Sequence, residues 1–228
     1  DEMKLFLSFS PDQVDSFMGI PIAIKDSGRY QAFSSYASDQ WKIKAVDQLA
    51  TVMRQGQGDN VFAYRFDADD LRDFGFLSLQ ELMGAAHAFE IPYVFGNFVT
   101  LMSNIIHPES ARAARNALSQ SMMSYWASFA HYGEPAKGYH GKQVEWRTWS
   151  NNDKQNRVMI FDTTLDRGIR MSPMKLQMQD LKQKFINETH FNDQQEHCQA
   201  YKLLFTNGDF IQSEYDNLGD NGCSEVGL

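Results

Sequence analysis

The residue best suited to chemistry in this chain is His87. It stands alone among small side chains in the run Gly84-Ala85-Ala86-His87-Ala88-Phe89-Glu90, and the apolar turn Ile91-Pro92-Tyr93-Val94-Phe95-Gly96-Asn97 follows. With a reference pKa of about 6.5, an imidazole can take a proton from a hydroxyl nucleophile and return it to a leaving alcohol near neutral pH. Gly84, Ala85, Ala86 and Ala88 leave room for the ring to approach a nucleophile on another element. A carboxylate on the second ring nitrogen would fix the tautomer and stabilise the imidazolium. Neither partner is marked in the chain, because no G-x-S-x-G sequence occurs anywhere in the 228 residues. On residue type alone, a histidine satisfied in the core or solvated at the surface is the commoner case.

Other chemistries find less support. His107, His131, His140, His190 and His197 show neither H-E-x-x-H spacing nor a nearby cysteine pair, which argues against a metal site. Phosphate-binding patterns such as G-x-G-x-x-G and G-x-x-x-x-G-K-[ST] are absent, so no nucleotide or other cofactor is implied. Met122, Met123, Met174 and Met178 fall on helical faces and read as core packing.

The elements that must position His87 can be read from periodicity. Trp41, Ala45, Leu49, Val52 and Met53 recur at helical spacing and predict an amphipathic helix over residues 41–54, stopped at Gly56. Val61-Phe62-Ala63-Tyr64-Arg65-Phe66 is short, aromatic and β-branched, and polar residues flank it on both sides, so it predicts a strand. From Pro108 to Tyr132, Ala111, Ala114, Leu118, Met122, Trp126 and Phe129 predict a long helix, with Gly133 and Pro135 at its stop. Residues 136–156 read as a surface loop anchored by Trp146 and Trp149, and Arg157 to Phe161 as a second strand. Ser172-Pro173 opens a helix carrying Leu176, Leu181 and Phe185, and Asn192 caps another with Gln195 three residues later. An N-terminal stretch with Phe6, Leu7, Phe9 and Phe17 precedes them all.

Strand, helix, strand implies a parallel pair, and a parallel sheet is stable only with several strands covered on both faces. Two strands are marginal by themselves. Further strands are therefore expected from outside this chain, and the isolated 228 residues are not expected to fold as a stable monomer.

The His87 block resembles the one that carries the catalytic histidine in type-B carboxylesterases, the carboxylesterase and cholinesterase branch of the α/β-hydrolases. Val61-Phe62-Ala63-Tyr64-Arg65-Phe66-Asp67 is similar to that family's strand before the histidine. Tyr125-Trp126-Ala127-Ser128-Phe129-Ala130 with Gly133-Glu134-Pro135 resembles its late helix and turn, and Trp146 with Val158-Met159-Ile160-Phe161 its closing segment. Asp1-Glu2 fits the end of a G-x-N-x-D-E element that follows the acid residue in the family. The likeness runs from residue 1 to about residue 165, and beyond Asp166 only the cysteine pair echoes it.

The resemblance implies the C-terminal portion, residues 1–228, of a single α/β-hydrolase domain, contributing late strands of a mostly parallel sheet with flanking helices. It implies a carboxylic-ester hydrolase acting through a serine acyl-enzyme, with His87 as the triad histidine. The partners are then an N-terminal portion of the same esterase, carrying Ser and Asp/Glu, and a small-molecule ester. Leu79, Met83, Ala86 and Phe89 would face the substrate, with core packing the competing reading. Glu90 corresponds to a structural carboxylate rather than the triad acid, which comes earlier in the family's chain order. Cholinesterases have an aromatic residue where Leu79 stands, useful for holding a quaternary ammonium, and this departure counts against choline esters. Some relatives of the fold have lost the triad and act as adhesion or binding modules, which is the alternative function.

Composition bounds these readings. The chain is 43% apolar and 13% aromatic, ample for a packed core. A net charge of −8 without clustered Lys and Arg disfavours nucleic acid as a partner. No apolar run long enough for a membrane span occurs. The chain begins at Asp1 rather than Met, so any signal peptide would lie upstream. Cys198 and Cys223 either pair, closing a loop worth roughly 3 kcal/mol in the chain-entropy model, or remain free thiols of a cytosolic protein. A bonded pair fits a secreted or periplasmic protein.

Overall fold

The computed structural model describes residues 14–17, 20–99, 105–152, 154–206, 208–219 and 222–224. Asp1, Glu2, Phe6, Leu7 and Phe9 lie outside the described residues. The chain divides into two compact units, residues 48–175 and residues 1–47 with 176–228.

The unit formed by residues 48–175 is built around a three-stranded sheet. Its strands β3 (Ala63–Phe66), β6 (Val158–Phe161) and β7 (Arg170–Ser172) lie in that order, with β6 central. β3 and β6 are parallel, in the register Ala63↔Val158 to Phe66↔Phe161, as the strand–helix–strand order requires. β7, whose last residue Ser172 stands where a helix start is expected, adds antiparallel to β6 with Ile160 opposite Arg170. The described sheet is thus mixed, with one parallel and one antiparallel pair. All four residues of β6 are buried, the pattern of a strand covered on both faces.

The long helix α5 (Arg112–Tyr132) follows a 3-10 turn, Glu109–Ala111, that Pro108 introduces. Gly133, with φ +79°, ends it, and its N–H donates to the Phe129 carbonyl. Its buried stripe runs through Ala114, Leu118, Ser119, Met122, Tyr125 and Ser128. The expected stripe ended on Trp126 and Phe129, but Trp126 is half-buried and Phe129 is 50% exposed. Ser128 can turn inward because its hydroxyl donates to the Glu134 carbonyl. The core beneath α5 joins Leu118, Met122 and Tyr125 to Met159, Phe161 and Trp146. The polar loop after α5 is indeed anchored at two buried tryptophans: the Trp146 backbone N–H donates to the Ala136 carbonyl, and the Trp149 backbone N–H to that of Val61.

The other unit contains the antiparallel hairpin β1 (Val14–Phe17) and β2 (Ile20–Ile24), and the helix α1 (Ser27–Lys42). The Asp26 side chain caps α1 by accepting from the Arg29 N–H. A π turn, Ile43–Gln48, then carries the chain out of this unit into α2 (Leu49–Gln57), which belongs to residues 48–175 and ends before Gly58. The helix expected over 41–54 is therefore part of a longer run, and its stripe does not face inward. Trp41, Leu49 and Val52 are exposed, while Tyr30, Phe33, Tyr36, Ile43, Asp47 and Ala50 are buried. Trp41, Ala45, Leu49 and Val52 do share one face across the π turn, but it is the exposed face, and the buried positions are Ile43, Asp47 and Ala50. Buried Asp47 is satisfied by Lys42 Nζ and by the Leu176 N–H.

Helices α6 (Met178–Ile186), α7 (Gln194–Leu204) and α8 (Gln212–Asp216) complete this unit. α6 begins six residues after Ser172, and α7 is capped by Asp193 rather than Asn192, with the Asp193 carboxylate accepting from the Glu196 N–H. Phe185, Tyr201, Leu204 and Phe205 form the core with Phe33 and Tyr36. A disulfide joins Cys198 and Cys223, both buried, at a Cα–Cα distance of 5.6 Å, tying α7 to the chain after α8. Among the described residues, no helix is long and apolar enough to cross a membrane.

Candidate functional site

His87 is reached from the sheet by a short relay of elements. β3 leads through the acidic loop 67–70 to a tight hairpin, β4 (Asp73–Phe74) and β5 (Leu77–Ser78). Gly75, at φ +61°, is the first of its two turn residues, and Phe76 beside it is fully exposed. Helix α3 (Leu79–Met83) starts directly after β5, capped by the Ser78 hydroxyl, which accepts from the Glu81 N–H. Gly84, at φ +54°, ends α3 with its N–H on the Gln80 carbonyl. Then comes the turn that holds the histidine, and α4 (Ile91–Phe95) follows.

In that turn, the Phe89 N–H donates to the Ala86 carbonyl at 3.1 Å and closes the four residues 86–89. Ala88 has φ +70°, the left-handed value that the third position of a type II turn requires and that glycine usually fills. An alanine there stores about 1 kcal/mol of backbone strain. His87 therefore occupies the corner of a strained turn, and its side chain is exposed.

The far side of the turn is fixed. Glu90 leads into α4, its carbonyl accepting from the Tyr93 and Val94 N–H groups. The Glu90 charge also acts on Tyr64, whose phenol is raised above its ordinary pKa first by burial and then by that carboxylate. Tyr93 is 1% exposed, and its ring meets Phe66 and Phe98 edge-on at 5.0 Å each. The Ser119 hydroxyl, buried on α5, donates to the Tyr93 carbonyl at 2.8 Å. Gly96 lies so close to Met123 that an added Cβ would come within 2.7 Å of its sulfur.

A group of carboxylates gathers at the C-terminal ends of the parallel strands, where open α/β sheets place their ligands, and Asp69 among them bonds to Gln80 of α3. Arg65 pairs with Asp67, and Arg170 reaches Asp162 at 3.1 Å and Asp67 at 3.7 Å. The Thr163 hydroxyl donates to Asp70 at 2.6 Å. The Asp69 carboxyl is raised above the usual range by burial and by the charges of Asp70 and Asp166, against a hydrogen bond with Gln80 of α3. Burial and the neighbouring Asp166 raise Asp162 in the same sense. In the sequence, Asp67, Asp69 and Asp70 stand out only as polar residues that bound the strand ending at Phe66. The signal that could have marked them is a run of acids straight after a strand with a basic residue inside it.

Of the four residues flanking His87, the structure buries Leu79 beside Leu82. Met83 is exposed, and Ala86 and Phe89 are half-buried, all within or next to the histidine turn. A separate depression of about 340 Å³ on the outer side of α5, lined by residues such as Met123, Ser124, Tyr139 and His140, includes no residue of that turn.

Comparison with known proteins agrees with the resemblance of the chain to the carboxylesterase family. The family model for the carboxylesterase family matches residues 21–186, well over half of the chain and past the point where the likeness had been read to end. Bile salt-activated lipase of Bos taurus is 35% identical over 72 residues, 31% of this chain and 11% of that protein. Carboxylesterase 5A of Mus musculus is 28% identical over 93 residues, 41% of this chain and 15% of the relative. Cholinesterase of Mus musculus is 30% identical over 97 residues, 42% of this chain and 14% of the relative. The matched stretches thus span at most 15% of the length of these relatives. No solved structure gives a significant match. The extent of the family match, with the histidine block inside it, makes this chain a member of the carboxylesterase family.

Proposed function

We propose that residues 1–228 form the C-terminal part of a single α/β-hydrolase domain that cleaves carboxylic esters through a serine acyl-enzyme, with His87 as its general base and then general acid. The observation that carries this reading is the histidine turn. His87 is exposed at the corner of a strained turn whose following helix is anchored by buried Tyr93 and Ser119, and backbone strain of this kind concentrates where a side chain must be held for function. A solvated surface histidine would account for the exposure but needs neither the strain at Ala88 nor the anchoring of Tyr93.

The serine, its acidic partner and the oxyanion-hole amides come from a segment earlier in the family's chain order. As the serine oxygen attacks the ester carbonyl, His87 takes its proton, and it then gives that proton to the departing alcohol. A water activated by the same imidazole attacks the acyl-enzyme and releases the acid. Met83, Ala86, Phe89 and Leu79 shape the wall beside the reacting carbonyl. β3 and β6 are read as late strands of a larger, mostly parallel sheet. The bonded cysteines support a secreted or periplasmic location.

The test uses the intact esterase that contains this chain, with a simple aryl ester as substrate. His87→Ala should lower kcat by several orders of magnitude while the protein remains folded. Unchanged turnover would reject the assignment.

A further inference from the structure

Asn187-Glu188-Thr189 is the one place in the sequence where an asparagine is followed, two residues on and without an intervening proline, by serine or threonine. That pattern is the acceptor for N-linked oligosaccharide. The structure places it directly after α6, with Asn187 as the C-terminal cap residue of the helix.

The three side chains divide by direction. Glu188 is turned inward: its carboxylate accepts from the Tyr36 hydroxyl at 2.8 Å and from the Thr189 and His190 N–H groups at 2.8 and 3.1 Å. His190 Nδ1 lies 2.5 Å from the same carboxylate. Asn187 and Thr189, on either side of it, are exposed. The Asn187 amide nitrogen donates to the Gln183 carbonyl at 2.7 Å along the exposed end of the helix, a bond that side-chain rotation exchanges for water. Gln183, Lys184 and His190 around it are also exposed, so a bulky substituent on that nitrogen meets no wall.

A second, independent observation concerns the compartment. Both cysteines of the chain are buried and bonded to each other, and such a bridge persists in an oxidising lumen rather than in a reducing cytosol. The same lumen is where oligosaccharide transfer takes place in eukaryotic secretion.

We propose that Asn187 is an N-glycosylation site. The donor is a polyprenyl-diphosphate-linked oligosaccharide. The Asn187 amide nitrogen bonds to C1 of the first sugar and loses one proton to the transferase, the C1–O bond to the diphosphate breaks, and polyprenyl diphosphate leaves. The Thr189 hydroxyl is the recognition element, and the fixed Glu188 turn keeps the finished glycan pointing away from the core.

The experiment takes the full-length protein from the medium of a eukaryotic secretory host, with Cys198 and Cys223 bonded. Peptide N-glycosidase treatment in heavy-oxygen water is followed by reduction and alkylation of the disulfide and mass spectrometry of the tryptic peptide 185–202. Conversion of residue 187 to labelled aspartate is expected, with Asn192 in the same peptide unlabelled as the internal control. Thr189→Ser should retain the glycan, and Thr189→Ala and Asn187→Gln should each abolish it, visible as the loss of one mobility step. An unmodified Asn187 in the secreted, disulfide-bonded protein overturns the proposal, as does modification that survives Thr189→Ala.

Discussion

Glu188→Gln should cost stability that depends on pH in a defined direction. In the folded protein, burial by itself would raise the Glu188 carboxyl. Hydrogen bonds from His190, Tyr36 and the His190 and Thr189 N–H groups outweigh it and bring the pKa from 4.5 down to about 2. A difference of two to three pH units, at about 1.4 kcal/mol each, is worth about 3 kcal/mol. The His190 ring is 55% exposed while the Glu188 side chain is only 12% exposed, so solvent screens part of the His190 contribution and about 2 kcal/mol is the better expectation. Because the folded value lies below the unfolded one, this stabilisation is fully present above pH 4.5 and is lost as the pH falls toward about 2. Urea unfolding of the wild type and of Glu188→Gln, from about pH 7 to about pH 3, reads both the offset and the slope. The variant should be less stable by about 2 kcal/mol at neutral pH and should converge on the wild type in acid. Two curves that stay parallel over the whole range would refute the reasoning, since the lost interaction would then not involve the ionised carboxylate.

Two further outcomes follow from the buried polar groups. Ser119→Ala leaves the Tyr93 carbonyl without its hydroxyl donor, and should lower stability by about 1 kcal/mol. If the histidine turn is catalytic, kcat for an aryl ester should fall more than KM rises, and identical kinetics with a lowered unfolding midpoint would detach α4 from catalysis. Burial lowers both the His107 and the His197 imidazoles below their usual value of 6.5; the Arg115 charge lowers His107 further, with Asp70 opposing it. The stability that these neutral rings contribute is complete above pH 6.5 and is lost as the pH drops through their folded values. Unfolding midpoints should therefore fall between about pH 7 and about pH 5, and His107→Leu should flatten that fall; an unchanged slope would contradict it.

Much of this architecture could be read before any coordinates. The β-branched and aromatic runs ending at Phe66 and Phe161, separated by a long amphipathic segment, were enough to place a parallel pair, because a strand returning after a helix crosses over in the same direction. Gly133 marked the end of α5 because only a residue tolerant of positive φ closes a helix there cheaply. The small residues around His87, together with the order of the segments on either side, marked the candidate site and its family.

The remainder depended on what each segment packs against. Periodicity announced a stripe on α5 but not its azimuth: Tyr125 and Ser128 turned inward and Phe129 outward because Trp146 and the Glu134 carbonyl were available on that side. Helical spacing across the π turn marked an exposed face rather than the buried one, and β7 formed where Arg170 could bridge Asp162 and Asp67 across the ends of two strands. The left-handed turn at Ala88 had no local signal, since alanine gives no hint of positive φ. Local composition thus determined the β3–β6 pair, the long helix α5 and which imidazole to examine, and tertiary packing decided the helix faces, the third strand and the strained corner on which His87 stands, because those depend on partners distant in sequence.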